Sequence, residues 1–254
     1  MSQPTVNQAR PAAAPIPQGA SALAQAAPGA PMIRTSARSR MDTKTMVSIA
    51  MLTAIAYVVM LLSKSMPSVM FLDFDFKDVV ICIGGFTFGP MMAAIISILV
   101  AFIEMITISD TFLWGFLMNA LATCSFCCTA SFLYKKMHTK KGAVLGLACG
   151  VVCLVGVMLL WNYLVTPFYM GQPREAIAAM LLPVFLPFNL AKGGMNMAAT
   201  LLLYAPVVAA LRKAGVVPPS QSSQGKKFSA GFLLFSLALM VTFVLFALVL
   251  AGVL

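Results

Sequence analysis

From Phe228 to Leu254 the chain carries no charged residue, and apolar runs of similar character recur from Met46 onwards. A run of that length crosses the ~30 Å hydrocarbon layer of a bilayer as a helix. Only helices and closed barrels satisfy backbone N–H and C=O groups where no water is present. The membrane span is therefore the unit of organisation. Composition agrees, with 61% hydrophobic and 9% charged residues, against about half apolar and a quarter charged in soluble domains. The expected fold is an all-α membrane protein with six or seven spanning helices.

Residues 1–42 are rich in Ala, Pro, Gln and Ser and contain no apolar stretch, so a disordered cytoplasmic tail is expected there. A first helix is expected at about 46–63, with Lys64 reaching from its end towards the interface. The second apolar stretch, 79–88, is short for a span and closes at Gly89 and Pro90, which favour a turn. A third helix at 91–108, a fourth at 111–134 and a fifth at 142–165 follow. The segment 176–211 contains Pro183, Pro187, Gly193 and Gly194, which predicts a kinked or broken helix. The expected domains are a tail at 1–42, a six-helix membrane domain at 43–213, a linker at 214–227 and an additional spanning helix at 228–254.

Charge orients this arrangement. The net charge of +10 is concentrated in Lys/Arg clusters beside the apolar runs: the N-terminal flank, 135–141 and 212–227. Such clusters mark the cytoplasmic side of a membrane protein rather than a nucleic-acid surface. With the N terminus inside, six spans return the chain to the inside at Arg212 and Lys213, and a seventh carries the C terminus out. Loops 65–78, 109–110 and 171–175 then face outwards, and they hold Asp73, Asp75, Asp78, Asp110 and Glu175.

The most informative residue is Lys192. An ammonium within a spanning helix costs about 2.5–3.5 kcal/mol on insertion scales and persists where it has a purpose. Asn189 lies three residues before it and Asn196 four after, so a helix puts all three on roughly one face. Pro187 frees a backbone carbonyl, and Gly193 and Gly194 admit a close neighbour or a flat ligand. A ligand or ion site is one reading; a structural lysine paired with Glu104 or snorkelling to the interface is the other. Asn162, between Trp161 and Tyr163, suits a planar heterocycle or an interfacial aromatic belt. Glu104 and Asn119 are further polar groups in apolar helices. The segment Phe71, Leu72, Asp73, Phe74, Asp75, Phe76, Lys77, Asp78 alternates apolar and charged residues, which predicts an extended loop with one greasy face, able to cap a cavity or to rest on the bilayer interface. Small residues four apart, Ala50 with Ala54 and Gly142 with Gly146 and Gly150, mark close helix contacts, within the chain or with a partner.

Several function classes fit poorly. No G-x-x-x-x-G-K-[ST] run exists to cradle ATP phosphates. The one histidine, His138, lies in a basic loop, and no intramembrane nucleophile and base are paired, so no catalytic residues are assigned. The six cysteines fall in apolar segments and read as small hydrophobes; Cys124, Cys127 and Cys128 have no nearby His or acid to complete a zinc site, so no metal and no cofactor are expected.

Taken together, these motifs resemble the substrate-binding S components of energy-coupling-factor vitamin transporters, most closely the riboflavin-binding type. The likeness runs from about 45 to 213. It is carried by the 71–78 loop with Gly84, Gly85, Phe88, Gly89 and Pro90, by Glu104 and Leu117–Asn119, by Asn162 to Gly171, and above all by Leu186 to Gly193. The resemblance implies a six-helix bundle that takes up riboflavin or a related flavin near the outer face. It implies that Asn162, Asn189 and Lys192 bond the ligand, with Phe71, Leu72, Asp73 and Phe74 closing over it. It further implies that, within the lipid bilayer, Ala50 and Ala54 dock on a transmembrane coupling subunit, and that two ATPase subunits supply the energy. Alternatives are an S component for another vitamin or a queuosine-like precursor, and a non-transport membrane scaffold.

Overall fold

The computed structural model of the protein describes residues 43–65, 68–70, 72–215 and 230–253. The expected tail at 1–42 and most of the expected linker lie outside these residues. The chain forms α1 (Thr43–Ser63), α2 (Lys77–Phe88), α3 (Pro90–Thr107), α4 (Leu113–Met137) and α5 (Lys140–Leu164). Two short helices follow, α6 (Thr166–Met170) and α7 (Arg174–Met180), then a π-helical turn (Leu181–Phe185), α8 (Leu186–Lys213) and α9 (Ala230–Leu250). Six of these units are long and apolar enough to cross a membrane: α1, α3, α4, α5, the stretch Arg174–Lys213 and α9.

The short α2 is the centre of the bundle. It packs against α1, α3, α4 and α8, and Val79, Ile81, Cys82 and Ile83 are buried on its several sides. At 12 residues it is about 18 Å long, too short to cross. Its N terminus therefore stops part-way through the bundle and carries Lys77 and Asp78 into the interior, where both are buried. Its other end is a sharp turn, Gly89 with φ of 103°, a backbone region that glycine enters without a Cβ clash. Pro90 then opens α3 at a position where its missing N–H is no loss.

Turn and cap chemistry fixes the neighbouring elements. The Thr139 hydroxyl accepts from the Gly142 N–H at 2.9 Å and starts α5, while Lys135 and Lys136 sit in the last turn of α4, where cations favour the helix dipole. The glycine ridge of α5 settles one question the sequence leaves open. A Cβ on Gly146 would lie 2.8 Å from the Ala130 carbonyl oxygen, and one on Gly150 2.8 Å from that of Phe126. This ridge joins α5 to α4 within the chain. Ala50 and Ala54, by contrast, are exposed on α1.

The irregularity expected around Pro183 and Pro187 is real. Pro183 lies in the π-helical turn, and the Leu186 N–H reaches the Leu181 carbonyl, five residues back. Proline removes the donors of the normal ladder, and widening the turn accommodates the gap. Gly193 and Gly194 face neighbouring helices. A Cβ on Gly193 would touch Val151 and Leu154 of α5, and one on Gly194 would collide with the Phe243 ring of α9.

Candidate functional site

One end of the bundle gathers the described residues of the loop after α1, the α3–α4 connection and α6; the other gathers Lys44, Lys135, Lys136, Lys140, Lys141, Arg212 and Lys213. At the first end lies a cavity of about 450 Å³, within the size range of small-molecule sites. The short α2 leaves this space, because no helix continues above its N terminus. Asn162, Asn189, Lys192, Leu72, Asp73 and Phe74 all line it. Phe71 lies outside the described residues.

Lys192 is ion-paired across the fold. Its Nζ donates to Asp75 Oδ2 at 2.7 Å, and it lines the cavity in company with Asp75. Glu104, the partner weighed from the sequence, instead accepts from Lys77 Nζ at 3.0 Å, and Lys77 also lies 3.6 Å from Asp75. Two ammonium and two carboxylate groups thus alternate in one chain of contacts. Burial alone would discourage ionisation of Asp75, but the charges of Lys192 and Lys77 outweigh it and bring this loop carboxyl down to about 2. Asp75 Oδ1 is buried and has no hydrogen-bond partner among the described residues. A donor and an unfilled acceptor therefore stand side by side.

The asparagines divide in role. Asn189 Nδ2 donates to the Phe185 carbonyl at 2.7 Å, in the irregular stretch around Pro187. Asn162 Nδ2 donates to the Met158 carbonyl at 2.8 Å and its Oδ1 accepts from the Thr166 hydroxyl at 2.9 Å, which locks the amide in place at the cavity wall. Asn196, on the same face of α8 but one turn deeper, donates to the Asp75 carbonyl at 3.0 Å. It braces the loop and does not line the cavity.

The loop departs from the extended alternation expected over 71–78, and Lys77 and Asp78 are not part of it but open α2. Among its described residues there is only an isolated antiparallel bridge, Val69 to Leu72, and Phe74 and Asp75 are both buried although adjacent. The pull of Lys192 and Lys77 on Asp75 and the Asn196 contact to its carbonyl turn the chain inwards, against the period-two pattern. The aromatic wall is also not the one the sequence suggested. Tyr163 is exposed under Arg174 and Trp161 packs into the main core. The cavity is lined instead by Trp114 and Tyr169, stacked with centroids 6.3 Å apart. Helical geometry points the immediate neighbours of Asn162 to other faces. Asn119 and Glu104, weak signals in sequence, both line the cavity.

Comparison with known proteins decides the family. The sequence profile described as "ECF transporter, substrate-specific component" matches residues 44–204. The chain belongs to this family. Among relatives of this S component are riboflavin transporter RibU of Staphylococcus aureus (strain TCH60), 28% identical over 171 residues covering 64% of this chain and 89% of that protein. Riboflavin transporter FmnP of Bacillus subtilis (strain 168) is 30% identical over 164 residues, covering 60% of this chain and 86% of that protein. A solved structure, the S component of a bacterial ECF transporter, superposes with a TM-score of 0.57 at 28% identity over 66% of this chain and 98% of that one. The S component is a multi-pass membrane protein and a transporter component. Its α9 lies beyond the residues that the family profile matches.

Proposed function

We propose that this S component is the riboflavin-binding subunit of an energy-coupling-factor uptake transporter. It takes the vitamin from outside and relies on a coupling subunit and two ATPases for energy, and it performs no catalysis of its own. The observation that carries this reading is the cavity chemistry. A Lys192 donor beside the Asp75 acceptor, with asparagine amides and a stacked Trp114–Tyr169 pair, suits a planar heterocycle bearing both carbonyl and imide N–H groups. Both relatives described above are riboflavin transporters.

The cavity lies at the end opposite the basic cluster, so the positive-inside rule puts its mouth on the outer side, with the N terminus in the cytoplasm. Ala50 and Ala54 lie exposed on α1, which suits close docking on the coupling subunit. The test is a fluorescence titration of purified protein with riboflavin and a panel of other vitamins. Saturable quenching by riboflavin alone supports the reading. Tight binding of a different vitamin, or of none, overturns it.

A further inference from the structure

The helix outside the family match shares an apolar cluster with the loop that lines the cavity. α9 packs along α8, and its Phe243 ring fills the notch that Gly194 leaves, a place where any side chain at 194 would collide with it. Beyond this contact, Ala247 and Leu250 of α9 join Val69 and Phe74 of the loop and Phe188 of α8 in one apolar cluster. Phe74 belongs to that cluster, packs on Phe188 with ring centroids 4.8 Å apart, and lines the cavity. Phe74 and Phe188 are therefore common to the cavity wall and the cluster that α9 joins.

Among the described residues, the loop has little else to hold its outer part down. The Val69–Leu72 bridge is internal to it, and the Lys64–Asp73 ion pair, at 3.2 Å, is about half exposed on both partners, where such pairs contribute little. The strong anchors, Asp75 to Lys192 and Asn196 to the Asp75 carbonyl, act only at its inner end. Fluid lipid chains in place of α9 would not give Val69 and Phe74 the fixed, interlocking contacts by which helices associate in a membrane.

We infer that α9 is a strap that holds the loop residues Val69 and Phe74 over the cavity, with Phe243 as the positioning residue that seats it in the Gly194 notch. Its consequence is a longer residence time for the bound ligand. This second statement rests on the riboflavin reading; the first does not.

Gly194→Ala, Phe243→Ala and the double variant of the full chain, in lipid nanodiscs, test both. Hydrogen exchange of ligand-free protein reads the loop, and stopped-flow fluorescence reads riboflavin dissociation. Either single change is expected to speed loop exchange and ligand release by about tenfold, the scale of losing part of a packed aromatic, with exchange in α4 and α5 unchanged. The double variant, in which a methyl occupies the notch the ring has left, is expected to recover part of the loss. Unaltered loop exchange in Phe243→Ala overturns the strap, as does loosening spread evenly through the bundle. Faster loop exchange with unaltered riboflavin release overturns the residence-time role. Failure of the parent protein to bind riboflavin counts against the ligand reading, while loop exchange still decides the strap. Should Gly194→Ala fail to fold, Phe243→Ala alone gives both readouts.

Discussion

Lys192 and Asp75, 117 positions apart in sequence, meet at 2.7 Å at the wall of the cavity. Breaking one side of an isolated buried pair costs about 3–5 kcal/mol; here Lys77, 3.6 Å from Asp75, offsets part of that cost but is shared with Glu104. Lys192→Met is therefore expected to lower the unfolding temperature in detergent, and Lys192→Met with Asp75→Asn to recover part of that loss. Riboflavin binding is expected to stay impaired in both. A double variant no more stable than the single one would show that the charges are not coupled.

The same pair sets an acid limit. Asp75 is held at about 2, below its ordinary value of 3.8, so the folded state binds fewer protons there than the unfolded chain. Its contribution is complete above about pH 4 and fades as pH falls through about 2. Thermal melts of the parent and of Asp75→Asn should show the parent's advantage from this group constant between pH 7 and 5 and shrinking below pH 4.

Packing of α5 on α4 rests on two glycines. Gly146→Ala or Gly150→Ala places a methyl 2.8 Å from a carbonyl oxygen of α4, and overpacking of this kind costs about 1–3 kcal/mol. Gly156→Ala on the same helix meets nothing within 4 Å and is expected to be neutral or slightly stabilising. Thermal unfolding of the three variants separates steric contact from helix propensity.

Asn162→Ala and Asn189→Ala are expected to weaken riboflavin binding by about tenfold each, the scale of one hydrogen bond to a neutral group. Trp114→Ala, which removes one of the two stacked rings, should weaken it by a similar factor. Fluorescence titration checks all three, and undiminished affinity in both asparagine variants would remove them from the site.

Ala50→Leu with Ala54→Leu changes only the exposed face of α1. Riboflavin binding by the isolated S component should be unchanged, while co-purification with the coupling subunit and ATP-driven uptake should be lost. Normal uptake by this variant would place the docking surface elsewhere.

The membrane class, the helix order, the break at Pro183 and Pro187 and the need of Lys192 for a polar partner were legible in the sequence. Each follows from a local cause: uncharged length, a missing proline N–H, or a charge in an apolar run. The sequence could also show that 79–88 is too short to span. It could not show that this helix occupies the centre and so leaves a cavity above its end, because that depends on what packs around it. The partner of Lys192 was equally out of reach. Glu104 lies in a spanning helix and Asp75 in a loop expected to face outwards, and only the inward fold of that loop brings Asp75 to α8 and leaves Glu104 to Lys77. Tertiary structure likewise turned Gly194 from a possible ligand platform into a seat for Phe243. Charge pairing and steric fit act between residues far apart in the chain, and their outcome is fixed only when the helices are in place.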